Sequence, residues 1–124
     1  MVRIEGGNRF IMRLITINPA NGKQIREYES QDVVIQRLAH LNQGAHLQWI
    51  SIQPGGKIGR HPTASDQLFL VVQGEGWVEG NDQQPERIFS GQVAFWHAGE
   101  LHQAHSEFGM DVIVVESPAL ELFI

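Results

Sequence analysis

The chain has no cysteine among its 124 residues. That excludes disulfides, a thiolate metal site and a cysteine nucleophile. It also fits a reducing compartment, so a cytoplasmic location is expected. No apolar run approaches the length of a membrane span. The opening Met1-Val2-Arg3-Ile4-Glu5-Gly6-Gly7 has no apolar core of a secretory signal, so none is expected. Basic residues are sparse: 9 Lys and Arg stand against 14 Asp and Glu, for a net charge of −5. They are also scattered, so neither nucleic acid nor an anionic membrane is expected as a partner. Internal repeats, low-complexity tracts and linkers are absent too.

What is present is enough for one core. The length and the 42% hydrophobic content suit a single domain over residues 1–124. The apolar residues alternate in short runs, which predicts strands rather than helices. The runs are Phe10–Ile17, Gln24–Tyr28, Val33–Leu38, Leu47–Ile52, Gln67–Gln73, Gly76–Glu79, Arg87–Phe89, Val93–Trp96, Leu101–His105 and Asp111–Glu116. Turn chemistry separates them, as at Pro54-Gly55-Gly56 and Gly80-Asn81-Asp82. With 13 glycines, this pattern predicts an all-β antiparallel sandwich or jelly roll. Val33–Ala39 reads equally as strand or helix, and Ser117–Ile124 as a helical turn or a strand.

In Gln67–Gln73, Gln67, Phe69 and Val71 share one face, while Leu68, Leu70 and Val72 share the other. Both faces are largely apolar, so both must be covered. One face fits a barrel interior. The other needs either more of this chain or a second copy, and a homodimer is expected.

Two stretches carry the chemistry. The first runs Gly55-x5-His61-x-Thr63-x3-Gln67-x6-Gly74, and the second Gly91-x5-His97-x-Gly99-x2-His102-x3-Ser106. They resemble the paired motifs of the cupin superfamily, Gly-x5-His-x-His-x3-4-Glu-x6-Gly and Gly-x5-Pro-x-Gly-x2-His-x3-Asn. The glycine frame and the outer histidines match. Thr63, Gln67, His97 and Ser106 stand where that pattern has histidine, glutamate, proline and asparagine. The wording His61-Pro62, Gln67-Leu68-Phe69 and Gly99-Glu100-x-His102 further resembles small single-domain bacterial cupins, over about Leu47 to Glu116. The resemblance implies a cupin-type jelly-roll barrel, with motifs at residues 55–74 and 91–106. It also implies a divalent transition metal (zinc, nickel, manganese or iron) held by His61, Gln67 and His102.

Parity adds to this set. Ala104 and Ser106 share the face of His102, so His105 points away. Glu100 is two residues before His102. A regular strand would put it inward as the missing carboxylate or a general base; the turn at Gly99 would instead leave it at the rim in water. His97 sits at a corner, where parity assigns no direction. A small closed barrel must be filled or hold one small ligand. Phe69 and Trp49 are the first candidates for its wall, and Thr63 for a hydrogen bond to a neutral ligand.

Three functions follow from these residues. One is a metal-dependent enzyme, an isomerase, lyase or dioxygenase, acting on a small oxygenated metabolite such as a sugar acid. There His61, Gln67 and His102 would hold the metal, and Glu100 or His97 would transfer protons. The second is a metal-free module that binds a small molecule without catalysis. The third, an iron oxygenase, requires Glu100 to point inward.

Overall fold

The computed structural model describes residues 11–124. Among the described residues there is no α-helix, only 3-10 turns at Pro19–Asn21 and Glu27–Glu29. Twelve strands follow in order: β1 Arg13–Thr16, β2 Lys23–Ile25, β3 Val33–Ile35, β4 Ala39–Leu41, β5 His46–Ile52, β6 Lys57–Pro62, β7 Asp66–Glu79, β8 Glu86–Phe89, β9 Gln92–Trp96, β10 Leu101–His105, β11 Met110–Ser117 and β12 Leu120–Leu122. The start of the expected strand Phe10–Ile17 lies outside the described residues.

β7 organises the molecule. Sequence patterning expects two strands here, split near Gly74, but the structure has one strand of 14 residues. Its first half pairs with β9 and β11, and its second half with β8 and β10. One sheet therefore runs β1-β9-β7-β11-β5, and the other β8-β7-β10-β6. The strand crosses between them where Gly74 takes a left-handed φ of +88°. A Cβ at Gly74 would collide with the carbonyl oxygen of Gly109, so only glycine passes there.

The two sheets close over one interior. Phe69, Val71, Val78, Ile88, Ala94, Trp96, Ala104, Met110, Val112 and Val114 fill it. Gln67, Phe69 and Val71 all face inward and are buried, as parity requires. The opposite face of β7 is covered by the chain itself. Leu68, Val93 and Phe95 form a second cluster under Ile17, Ala39, Leu120 and Leu122. Residues 120–122 are thus a strand, paired with β4. The cover is incomplete: Leu47 and Trp49 on the edge strand β5, and Val72 on β7, remain 72%, 59% and 43% exposed.

Candidate functional site

Two cross-strand pairs build the site. His61 on β6 sits opposite His102 on β10, which brings their ring centroids to 4.5 Å. Gln67 on β7 sits opposite Glu116 on β11, and Gln67 Nε2 donates to Glu116 Oε2 at 2.8 Å. Directly opposed residues on adjacent strands have Cβ atoms about 5 Å apart, so each pair meets without any loop rearrangement. Together with Gln48, Ile50, Ile58, Phe69 and Val114, the four side chains line a cavity of about 140 Å³ inside the barrel. His61 and Gln48 are exposed at its mouth, while Gln67, Phe69 and His102 are buried deeper. A larger open cleft of about 630 Å³ lies beside β2 and β3, but no histidine or carboxylate side chain lines it.

The two imidazoles are held differently. His61 Nδ1 lies 2.6 Å from the Gly59 carbonyl oxygen. A carbonyl only accepts, so Nδ1 carries the proton, and in the neutral ring Nε2 is a bare acceptor. His102 packs against the indole of Trp96, with ring centroids 4.5 Å apart. Burial is the main cause that lowers its pKa from 6.5 to about 4, and the neighbouring His61 adds to it. The ring is therefore neutral at pH 7. His102 Nδ1 is buried and makes no hydrogen bond. Backbone groups of His61 and Glu100 favour a proton on the ring, against the effect of burial.

The structure brings together His61, Gln67, His102 and Phe69. It places the other four candidates elsewhere. Trp49 faces outward, 59% exposed, and its Nε1 donates to Ser51 Oγ at 3.2 Å. Gln48 and Ile50 flank it in sequence and line the cavity, so strand alternation removes Trp49 from the wall. Thr63 is buried, but its hydroxyl donates to the His97 carbonyl at 2.7 Å, which ties two loops together. His97 packs edge-on against Phe95, with ring centroids 4.9 Å apart, and does not line the cavity.

Glu100 meets neither expectation for it. It is not at a wet rim, because it is fully buried, and it does not line the cavity. Oε1 accepts from the His97 backbone N–H at 3.2 Å, and Oε2 presses on Gly80, where a Cβ would come within 2.5 Å. Burial drives its pKa from 4.5 to about 7, against the pull of backbone groups of His97, Asn81 and Met12. The left-handed Gly99, at φ +85°, turns the chain just before it and breaks the parity with His102. His105 does point away from the cavity, stacked on Trp77 on the outer face.

Glu116 is the residue that sequence reasoning passed over. Val112, Val114 and Glu116 alternate inward along β11, so parity alone could have flagged it. Its pairing with Gln67, 49 residues away, depends on strand register, which no local pattern shows.

A family profile for the cupin domain matches residues 48–117. The chain belongs to the cupin family. Solved structures agree on the fold. A Streptococcus pyogenes protein of unknown function is 21% identical at a TM-score of 0.57, covering 85% of this cupin and 96% of that chain. An RmlC-like cupin from Shewanella frigidimarina is 23% identical at a TM-score of 0.57, covering 65% and 75%. Salicylate 1,2-dioxygenase from Pseudaminobacter salicylatoxidans is 14% identical at a TM-score of 0.56; the match covers 59% of this cupin but only 21% of that enzyme. Identities this low establish the jelly roll and leave the chemistry open. No curated protein matches the sequence.

Cupins imply a metal, and the donor set here fits one poorly. Stable sites generally use at least three good protein ligands. Among the described residues, no group of three His, Cys, Asp or Glu side chains is placed to hold an ion. A ligating histidine almost always donates its other ring N–H to an acceptor. His61 does so, and His102 Nδ1 does not.

Proposed function

We propose that this cupin is a non-catalytic module that binds one small polar molecule in its barrel cavity, between His61, Gln67, His102 and Glu116 and against Phe69. One observation carries this reading. The cavity gathers hydrogen-bonding groups on an apolar wall, while both groups expected to transfer protons, Glu100 and His97, lie outside it. Cavities of this kind orient ligands through a few placed polar groups. His61 Nε2 and Gln67 Oε1 accept, and the second N–H of Gln67 donates.

A metal-dependent enzyme remains the competing outcome of the test. Protein purified without a histidine tag from medium supplemented with zinc, nickel, manganese and iron is analysed for metal. Sub-stoichiometric metal, unchanged in a His61→Ala/His102→Ala variant, is the expected result. Near-stoichiometric metal that this variant loses would replace the binding reading with the catalytic one.

The same proposal includes a homodimer. β5 pairs only with β11 among the described residues, so its other edge is open beside the exposed Leu47 and Trp49. An edge strand pairs antiparallel with its own copy across a twofold axis, which extends the sheet and sets Leu47 and Trp49 of both subunits side by side on one face.

A further inference from the structure

The charge and hydrogen-bond inventory of the cavity selects among ligands, an inference that rests on the binding reading above. Glu116 is the one formally charged residue of its lining, and no lysine or arginine lines it. Arg60, on the neighbouring stretch of β6, is turned away: Nη1 pairs with Glu79 at 3.2 Å and Nη2 donates to the Gly80 carbonyl at 3.2 Å. His61 directs Nδ1 to the Gly59 carbonyl oxygen at 2.6 Å, and His102 packs against the Trp96 indole.

The lining also carries acceptors for a ligand's donors. Glu116 uses Oε2 for Gln67, which leaves Oε1. Gln67 keeps Oε1, and His61 keeps Nε2. The Gln48 amide adds an acceptor and two N–H donors at the mouth, beside the second N–H of Gln67. A carboxylate or phosphate entering here would meet the Glu116 carboxylate and no lysine or arginine. A hydroxyl-rich or amine ligand brings donors to the free oxygens of Glu116 and Gln67. The volume of about 140 Å³ holds a small molecule only, about five waters at ~30 Å³ each.

We infer that the cavity selects a small donor-rich molecule that is uncharged or cationic, a short polyol or an amine, and rejects carboxylates of the same size. The sugar acid expected from the sequence is therefore the wrong charge for this lining.

The test is an NMR titration of the chelator-treated protein, read at the indole N–H of Trp96 beside His102 and at the imidazole signals. Three probes are compared: erythritol, ethanolamine and glycerate. Erythritol or ethanolamine is expected to shift these signals saturably, with glycerate at least about tenfold weaker, and the erythritol and ethanolamine arms tell a polyol from an amine site. Glu116→Gln keeps an acceptor for Gln67 and removes the charge. It should narrow the glycerate gap about tenfold; an unchanged gap would overturn the charge selection. Equal binding of glycerate and erythritol, both lost in His102→Ala, would overturn the charge selection and leave the binding site standing. Failure of all three probes to shift the signals would overturn both.

Discussion

Glu100 and His102 lie two residues apart with opposite proton linkage, and that makes a sharp prediction about stability. Glu100 binds its proton more tightly in the folded state, at about 7 against 4.5. Its contribution is fullest below 4.5 and is lost as pH rises towards 7. His102 binds its proton less tightly when folded, at about 4 against 6.5. Its contribution is full above 6.5 and is lost as pH falls towards 4. Between 4.5 and 6.5 the two slopes oppose each other, each worth about 1.4 kcal/mol per pH unit. Both side chains are almost wholly buried, so solvent screening removes little of this. These two groups should therefore leave the wild-type stability nearly flat across the window. Glu100→Gln keeps the acceptor for the His97 N–H and removes one slope. The variant should lose roughly 2 to 3 kcal/mol on acidification across the window, whereas His102→Asn should gain about as much. Urea unfolding of chelator-treated protein at several pH values measures all three curves. Parallel curves for wild type and both variants would refute the reasoning, because they would mean that neither group is displaced from its ordinary pKa.

Other perturbations test the fold and the assembly. Phe69→Ala removes a 1%-exposed ring from the interior and should cost about 3 kcal/mol in chemical denaturation; a loss below ~1 kcal/mol would contradict its place in the core. Gly74→Ala forces a Cβ into the Gly109 carbonyl at positive φ and should cost at least ~2 kcal/mol. An unchanged denaturation midpoint would show that β7 does not need this crossing. Leu47→Glu/Trp49→Glu should halve the mass seen by light scattering; a wild type that is already monomeric would remove the dimer.

The sequence carried the fold further than the site. The motif glycines, the alternation in Gln67–Gln73 and the outward direction of His105 were all readable from local pattern. β6 was not, because Lys57-Ile58-Gly59-Arg60-His61-Pro62 has a single large apolar residue and is ordered by its pairing with β10. The site split along the same line. His61, Gln67 and His102 follow from motif spacing, but Glu116 needs the register of β11 against β7. Glu100 was misplaced because one left-handed glycine cancels the parity on which its assignment depended. Trp49 was a composition argument, and alternation along β5 overrules it.

The most direct test of the central claim is an experimental map of the cavity between His61 and His102, from crystals of protein grown with zinc, nickel, manganese and iron. The account predicts light-atom density within hydrogen-bonding reach of His61, Gln67 and Glu116, with no anomalous peak. A transition-metal anomalous peak about 2.1 Å from both imidazoles would contradict it.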